Sequence, residues 1–574
     1  MPRDRFGLLG SGPRDAPARQ RTLAAVIDWS WRLLTEGERA VLRRLAIHSG
    51  GCTLDAAEAV CAGDGVAAGE VLDLLVGLVD RSLVVRGDGS RFRLLESVSA
   101  YCLDRLRESG EEAALRRRHA EHYLALAERA EPLLRGPGQR EWLRRLDAEA
   151  ANLRAALETF RRDGAAGPAL RLALALTWYW FLRGRFTEAR RALDAALDVP
   201  GEATDVARAE TEVWRTGLEI LQGQAGPERV AEVLAAYEKV AEPVARARAE
   251  WFLAAAISHV GDEAAAGELL RRALDTCRAA GDRWGEAAAL STRAMLAHIR
   301  HDLAALEHDA RRGAELFGEL GDDWGMLQAT DWLIGLADLT GDRAEAARLS
   351  RDGLRVAEDL GLWSDVAGRL GWLAWLSVQE GDYPLAREYG ERSRRLAAQQ
   401  GLRSGEVFAV LSLAAAARRS GDTDAAEGHL RWLLASARRQ RSGEGHPPYL
   451  AMVLVELGLL DVERGDPAGA LTRLREAFDV ARTFGSAPEM AWALTAIAAA
   501  LVPNGRPDLA ARLLGAAEAA RRTSGHEMSD WDRAQLTQIT ASARSATSDF
   551  ADLFAQGGEL TPEQARLLLD AERD

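Results

Sequence analysis

The first regular pattern of hydrophobic positions begins at Thr22. In the segment TLAAVIDWSWRLL, the side chains of Leu23 and Ile27 fall near one face of a helix. Thr35 and Glu38 have the spacing of a capping box, which starts the next helix. Two further helical stretches follow, TLDAAEAVCA and EVLDLLVGLVDRSL. The pattern therefore predicts a small helical unit at this end of the chain.

The segment from Leu83 to Leu94 changes from a helical pattern to that of two short strands. Its central Asp88-Gly89 pair is typical of a β-hairpin turn. The helix ESVSAYCLDRLRES then closes the unit near Gly110. Helices followed by a hairpin are the element order of a winged-helix domain. We predict such a domain over residues 22–110, after a flexible segment over residues 1–21 that is rich in Gly, Pro and Arg.

Glycine-centred turns recur farther along the chain at an almost constant interval of twenty residues. Glycine accepts the left-handed conformation that ends a helix, and an aspartate directly after it can cap the next helix. The His301-Asp302 pair fills the one missing position of the series. Two helices per unit of about 40 residues are typical of a helical solenoid. The series is Gly261, Gly281, Gly321, Gly341, Gly361, Gly381, Gly401 and Gly421, and it continues, slightly stretched, at Gly465, Gly485 and Gly505.

A small residue lies five positions beyond the inter-helix glycine of seven units, where helices of a tetratricopeptide repeat (TPR) cross closely. These residues are Ala189, Ala266, Ala346, Ala386, Ala426, Ala470 and Ala510. The unit at His301 deviates, with Leu306 in that place. We predict a TPR-like right-handed α-solenoid over residues 164–525, with connecting helices over 111–163 before it. A helical cap is predicted over 526–574, including a helix that Thr561 caps.

Composition agrees with an all-α fold, because Ala, Leu, Arg and Glu dominate. The net charge of −14 argues against a general nucleic-acid binder. Cysteines without CxxC spacing predict reduced core residues; they are Cys52, Cys61, Cys102 and Cys277. The amino terminus lacks the apolar run of a signal peptide, and no stretch has the apolar length of a membrane span. We therefore expect a cytoplasmic protein with no membrane contact.

The chain has a single lysine, Lys239, in the context Tyr-Glu-Lys-Val. A P-loop needs a lysine after glycine to reach the nucleotide phosphates, so this chain holds no intact P-loop NTPase site. It also lacks the G-x-S-x-G, H-E-x-x-H and dinucleotide-binding patterns. We predict a protein that is not an enzyme, with no catalytic residues and no cofactor. Two histidine groups lack the convergent ligands of a zinc site, so no metal is expected: His119 and His122, and His298, His301 and His308.

The winged-helix segment resembles one family in sequence, at residues 18–23, 27–30, 33–35, 42–46, 50–54, 56–61, 74–84 and 92–96. That family is the bacterial STAND ATPase regulators, which include SARP-type and LuxR-type regulators. Later matches are Arg118-His119-Ala120, residues 152–157 and residues 510–518. The resemblance spans nearly the whole chain.

In that family a nucleotide-binding domain precedes the winged helix, and a TPR solenoid receives the signal that holds or releases the ATPase. The resemblance implies that this chain is the sensing half, without Walker A and Walker B segments and without a separate DNA-binding domain. Three interpretations stay open: a stand-alone regulator, a remnant, and a longer reading frame that starts upstream. The effector and the oligomeric state are not readable from the sequence.

DNA contact through the winged helix is the alternative function. The polar positions of its recognition helix are mostly acidic, which disfavours phosphate contact; they are Glu70, Asp73, Asp80, Arg81 and Ser82. The wing offers Arg86, Arg91 and Arg93 for contact with DNA or phosphate. In the resembled family this domain docks on the nucleotide site rather than on DNA. Direct DNA contact is therefore the weaker prediction.

Tryptophans mark candidate positions in the groove of the solenoid. Trp332 and Trp372 are 40 residues apart in equivalent positions, and Trp375 lies one turn farther on. Trp324 forms a second equivalent pair with Trp284 at helix starts. Such aromatic residues either pack between helices or anchor a ligand. We predict partner-binding roles for Trp324, Trp332, Trp372 and Trp375, in a non-enzymatic regulatory protein whose solenoid binds a protein partner or a small effector.

Overall fold

A computed structural model of the chain describes residues 18–87, 91–226, 228–258, 262–440, 446–524, 528 and 530–571. Within these ranges it has 28 α-helices and one two-stranded sheet, which confirms the all-α class. The chain divides into two compact units. The first comprises the chain up to Leu134, Arg140–Tyr179 and Ala192–Ala207. The second comprises Arg135–Gln139, Trp180–Arg191 and the chain from Arg208 onward.

The first unit opens with a winged-helix arrangement. Its helices are α1 (Ala18–Arg32), α2 (Glu36–Leu45), α3 (Leu54–Cys61), α4 (Val71–Asp80) and α5 (Glu96–Glu108), with a 3-10 turn at Ala68–Glu70. Strands β1 (Val85–Arg86) and β2 (Phe92–Arg93) pair antiparallel, with Val85 opposite Arg93. The predicted hairpin is confirmed, whereas its predicted turn at Asp88-Gly89 lies outside the described residues. The predicted capping box is confirmed as well, because Oγ1 of Thr35 accepts a hydrogen bond from the backbone of Glu38 at 3.3 Å.

Arg44 anchors the interior of the winged helix. Its side chain is fully buried, and its guanidinium donates to Glu111 at 3.0 Å and to the carbonyl oxygen of Cys61 at 2.8 Å. The four cysteines are buried and free, as the sequence predicts. Helices α6 (Glu112–Leu133) and α7 (Gln139–Arg162) follow, with residues 136–138 between them.

Helices then follow one another with short connections through most of the chain, and from the helix Glu228–Glu238 to the helix Pro507–Ser524 each packs on the next. They are α8 (Ala166–Leu182), α9 (Phe186–Leu197), α10 (Asp205–Leu221), α11 (Glu228–Glu238), α12 (Pro243–Ser258), α13 (Glu263–Ala280), α14 (Arg283–Arg300), α15 (Leu303–Leu320), α16 (Asp323–Leu339), α17 (Arg343–Leu360), α18 (Trp363–Glu380), α19 (Tyr383–Gln400), α20 (Arg403–Arg419), α21 (Thr423–Gln440), α22 (Leu450–Glu463), α23 (Pro467–Thr483), α24 (Ala487–Leu501) and α25 (Pro507–Ser524). This is the TPR-like solenoid that the repeat predicts.

The predicted glycine turns are confirmed from Gly281 onward. The glycines of the series have φ between +64° and +85°, the left-handed region, and Gly261 lies outside the described residues. His301 takes the same conformation with φ of +57°, so it does fill the missing position. Aspartates cap the following helices: Oδ1 of Asp302, for example, accepts from the backbone of Ala305 at 3.1 Å. Local sequence therefore sets the ends of these helices.

Close helix crossings occur where the small residues are. All seven alanines that follow the turns by five positions are fully buried, and Leu306 is fully buried in the deviating unit. At the end of the chain lie α26 (Asp530–Ala546), α27 (Phe550–Gly557) and α28 (Pro562–Ala571). Phe550 and Leu569 join the core of the last repeats. Thr561 caps α28 as predicted, since its Oγ1 accepts a hydrogen bond from the backbone of Gln564 at 3.2 Å. Helix α27 is not among the elements predicted from the sequence.

Within the described ranges, every helix is too short or too polar to span a bilayer.

Candidate functional site

The second unit contains a cavity of about 460 Å³. The first helices of four successive repeats, α14, α16, α18 and α20, form much of its wall. Their lining residues recur at a spacing of 40 residues because the repeats present the same helix face to the cavity. One row consists of Ala288, Gln328, Gly368 and Phe408, and a second of Thr292, Trp332 and Trp372.

Residues far apart in sequence complete the wall. Phe181 and Phe186 contribute from one side, and Tyr449 from another. Nη1 of Arg183 donates to the carbonyl oxygen of Gly361 at 3.2 Å, across 178 positions of the sequence. This contact holds parts of the same unit that are remote in sequence against each other.

Three of the four predicted tryptophans meet at this cavity: Trp324, Trp332 and Trp372. Trp375 is not among the lining residues; its Nε1 donates instead to Oδ2 of Asp338 at 2.9 Å. Trp284 stacks on Trp324 with their ring centroids 6.2 Å apart.

Two partly buried carboxylates stand out in the largely apolar wall. Asp331 comes from α16 and Asp365 from α18, and Nε2 of Gln328 donates to Oδ1 of Asp365 at 2.6 Å. Neither carboxylate is among the site residues predicted from the sequence. A signal for Asp365 was present, because its equivalents 40 residues apart are all glycine: Gly285, Gly325 and Gly405.

The surroundings of these two carboxylates raise their pKa values. Burial, and next the charge of Asp331, raise the pKa of Asp365 to about 7. Burial also raises the pKa of Asp331, and the guanidinium of Arg369 opposes that shift. Nη1 of Arg369 lies 2.7 Å from Oδ1 of Asp331. The cavity therefore holds one carboxylate in contact with a guanidinium and one whose side-chain hydrogen-bond donor is a neutral amide.

The three arginines predicted for the wing differ in their exposure to solvent. Arg91 is only 8% exposed, forms an ion pair with Glu149, and donates through Nη2 to the carbonyl oxygen of Gly51 at 2.9 Å. Arg86 and Arg93 are exposed on the paired strands. Arg91 thus joins the interior of the first unit, and the other two remain at its surface.

Several segments that carry the family resemblance converge on one buried polar network. Oδ1 of Asn152 accepts from the backbone of Ser49 at 2.7 Å, and its Nδ2 donates to the carbonyl oxygen of Gly51 at 3.0 Å. Burial lowers the pKa of His119 to about 4, and its ring lies 3.3 Å from Asn152. No group of three or more His, Cys, Asp or Glu side chains among the described residues is placed to hold a metal ion.

Two helices of the winged helix expose mainly apolar and acidic side chains. The exposed residues of the predicted recognition helix α4 are Leu72, Asp73, Val76 and Asp80. Helix α1 exposes Val26 and Trp29 one turn apart on one face, and Leu33, directly after the helix, is exposed as well. A surface that reads DNA is usually rich in Lys and Arg, and neither helix presents such a face.

Comparison with known proteins places a winged helix-turn-helix domain at residues 34–107. The "Putative HTH-type transcriptional regulator Rv0890c" of Mycobacterium tuberculosis is 43% identical over 201 residues, which are 34% of this chain and 22% of that protein. An uncharacterized protein of the same species, Rv0894, is 42% identical over 124 residues, 21% of this chain and 31% of that protein. The chain thus spans 22% and 31% of the lengths of these two relatives.

Two solved structures share a helical architecture with the chain at low similarity. A Rap protein complexed with competence and sporulation factor has a TM-score of 0.43 and 14% identity, covering 66% of this chain and 99% of that one. The STAND protein with a tetratricopeptide repeat sensor, PH0952 from Pyrococcus horikoshii, has a TM-score of 0.43 and 13% identity, covering 81% and 65%. The chain is therefore one with a winged helix-turn-helix domain, a TPR-like helical solenoid and similarity to HTH-type transcriptional regulators.

Proposed function

We propose that this chain is the sensing part of a transcriptional regulator and that its helical repeats bind a small effector in the aromatic cavity. The winged-helix unit then transmits the signal of effector binding by docking to another domain or protein. In the terms of the resembled family, the chain is the sensor half of a STAND-type regulator whose ATPase lies elsewhere. The proposed role is binding without a chemical step.

The observation that carries this proposal is the alignment of lining residues across successive repeats. Four repeats direct equivalent positions into one cavity of about 460 Å³. Ligand sites in proteins have volumes of about 300–1,000 Å³ and combine apolar walls with a few polar groups. The wall has that composition, with aromatic side chains around Asp331, Asp365 and Gln328. A small effector therefore fits the cavity better than a folded protein partner does.

The regulatory half of the proposal is supported by the domain match and by the relatives named as transcriptional regulators. Docking is favoured over DNA reading by the surface of the winged helix. Val26 and Trp29 on α1 and Leu33 directly after it are exposed apolar side chains, which suit another protein surface better than phosphates.

A substitution that fills the cavity tests the proposal on the full chain. A Cβ added at Gly368 would meet no atom within 4 Å, so Gly368→Leu places its side chain in the cavity without a backbone clash. Removing glycine from a helix interior also favours the helix by about 0.5–1 kcal/mol, so the variant should fold. Gly428→Leu is the matched control, because Gly428 is an exposed helical glycine with equally open surroundings.

The measurement is a thermal-shift screen of chemically diverse small molecules, followed by calorimetric titration of those that stabilise the protein. We expect compounds that bind the wild type and Gly428→Leu with equal affinity and bind Gly368→Leu at least about tenfold more weakly. Compounds whose affinity is unchanged in Gly368→Leu would place binding elsewhere. A screen without any stabilising compound would contradict the proposal.

DNA contact is the second candidate function, favoured by the winged helix-turn-helix match and the exposed Arg86 and Arg93. The acidic and apolar face of α4 weighs against it.

A further inference from the structure

The charged side chains in the cavity wall are of one sign. Asp331 and Asp365 line it, and no Lys or Arg occurs among its described lining residues. His298 is the remaining titratable group of the wall that can carry a positive charge. A low-dielectric space with this wall repels anions and favours a positively charged ligand group.

Arg369 offsets one of the two carboxylates from outside the cavity. It is 1% exposed, and its Nη1 lies 2.7 Å from Oδ1 of Asp331. Its Nη2 donates to Oγ1 of Thr330 at 3.0 Å, so the guanidinium is held against α16. The partner of Asp365 is the amide of Gln328, a neutral donor that removes no charge. With both carboxylates ionised, the cluster carries one uncompensated negative charge.

The pKa of Asp365 reflects the same excess of negative charge. Burial and the nearby Asp331 raise the pKa of Asp365 to about 7. A carboxyl group that resists ionisation would ionise readily once a cation lay beside it, because the attraction of the cation opposes the repulsion by Asp331. Arg369, on the same helix α18, lowers the pKa of Asp365 less than burial and Asp331 raise it.

Aromatic rings surround the carboxylates on the neighbouring helices. The ring centroids of Trp372 and Phe408 lie 5.1 Å apart, and those of Trp332 and His298 lie 5.8 Å apart. Faces of Trp and Phe attract cations and also contact apolar groups. Ser291, 3% exposed and part of the wall, has an Oγ without a hydrogen-bond partner among the described residues. The wall thus offers a further polar atom for the donor group of a ligand.

We propose that the cavity binds an amphiphilic organic cation, with a protonated amine at Asp365 and an apolar or aromatic body between Trp332, Trp372 and Phe408. This inference rests on the proposed function, since it names the chemical class of the effector. Asp365 supplies the opposite charge, Gln328 orients that carboxylate, and Arg369 prevents a second cation from pairing with Asp331.

Three probes of one skeleton test the class of ligand: 4-phenylbutylamine as cation, 4-phenylbutanol as neutral analogue and 4-phenylbutyrate as anion. Each is titrated calorimetrically into the full chain at pH 8, where the amine is protonated and Asp365 is mostly ionised. We expect the amine to bind at least about tenfold more tightly than the alcohol, and the anion to bind most weakly. Asp365→Asn should lower the affinity for the amine at least about tenfold and leave that for the alcohol unchanged.

Equal binding of amine and alcohol would overturn the inference, and so would tighter binding of the anion or an unaltered amine affinity in Asp365→Asn. Absence of binding by all three probes would overturn it too. The proposed function is judged separately by Gly368→Leu. If any bound probe or screened compound is lost in that variant while the amine preference is absent, the cavity is an effector site for another class of ligand. If Gly368→Leu changes no binding, the proposed function fails as well.

Discussion

Nε2 of Gln328 donates a hydrogen bond to Oδ1 of Asp365 at 2.6 Å, across two successive repeats. The amide holds the carboxylate in place inside the cavity but does not neutralise it. Burial and Asp331 raise the pKa of Asp365 to about 7, well above its ordinary value of 3.8. Two measurable consequences follow, one for stability and one for ligand binding.

Asp365→Asn should stabilise the protein at alkaline pH. Because the folded pKa of Asp365 is the higher one, the folded state binds more protons than the unfolded state between pH 3.8 and about 7. The free energy of unfolding of the wild type therefore falls as pH rises through this window. We expect the gain from Asp365→Asn to be about 1–2 kcal/mol larger at pH 8 than at pH 5.5, measured by urea unfolding.

Asp359→Asn on α17 is the control, since Asp359 is exposed and away from the cavity. It should give the same small change at both pH values. A gain from Asp365→Asn that did not depend on pH would contradict the assigned environment of Asp365.

Affinity of the wild type for 4-phenylbutylamine should rise with pH. Asp365 must be ionised to pair with the ammonium group, and the other charged or titratable groups around it are Asp331, Arg369 and His298. Protonation of Asp331 at lower pH would weaken cation binding too, so both contributions have the same sign. We expect a gain of up to about tenfold between pH 6 and pH 8, followed by calorimetry. The neutral 4-phenylbutanol should show a flat profile, and a parallel rise for the alcohol would exclude a charge-dependent cause.

Glu111→Gln should destabilise the winged helix at neutral pH. Burial acts to raise the pKa of Glu111, but hydrogen bonds and charges of Arg44 and Arg43 outweigh it and lower the pKa to about 2. The unfolded state then binds more protons, so this stabilisation is present above pH 4.5 and is lost as pH falls through about 2. We expect a loss of about 1–3 kcal/mol at pH 7 that shrinks at acid pH, by chemical unfolding of the full chain.

Glu108→Gln serves as the comparison for Glu111→Gln. The side chain of Glu108 is 62% exposed in a pair with Arg105 at 2.6 Å, and exposed pairs contribute little. Equal losses in the two variants would argue against a special role for Glu111.

Ala386→Trp should loosen the repeat array. Ala386 is fully buried and packs with Val378 and Ala416 on adjacent helices, where indole bulk has no space. Overpacking costs about 1–3 kcal/mol and occasionally more. We expect a lower thermal midpoint and reduced helicity by circular dichroism. Ala398→Trp on the exposed side of the same helix should leave both near wild type, and a similar result for Ala386→Trp would refute the repeat register.

The full chain should show no tight, salt-sensitive binding to duplex DNA. The exposed face of α4 carries Asp73 and Asp80, and Arg91 is buried against Glu149. We expect fluorescence anisotropy with labelled promoter fragments to give dissociation constants weaker than about 1 µM. The double substitution Arg86→Ala, Arg93→Ala should then change nothing. Tight binding that falls steeply with salt and is lost in the double variant would support DNA contact instead.

Helix ends and repeat register could be predicted from the sequence because local contacts control them. A glycine at a turn, or His301 in its place, ends one helix, and Asp302 or its equivalents start the next within three residues. The buried alanines followed from the same register, since close helix crossings recur with each repeat. The hairpin and the capping boxes at Thr35 and Thr561 are local as well.

Only the tertiary structure decided which side chains share the cavity. Trp332 and Trp372 line it while Trp375, one turn away, bonds to Asp338, because rotation around a helix selects what faces inward. Arg91 is buried because its guanidinium donates to the carboxylate of Glu149, 58 positions away in the sequence. Asp365 owes its raised pKa to burial and to Asp331 on another helix. The sequence by itself determined the repeating helices through short-range hydrogen bonds and helical spacing, whereas the cavity and its charge arise from contacts between residues remote in sequence.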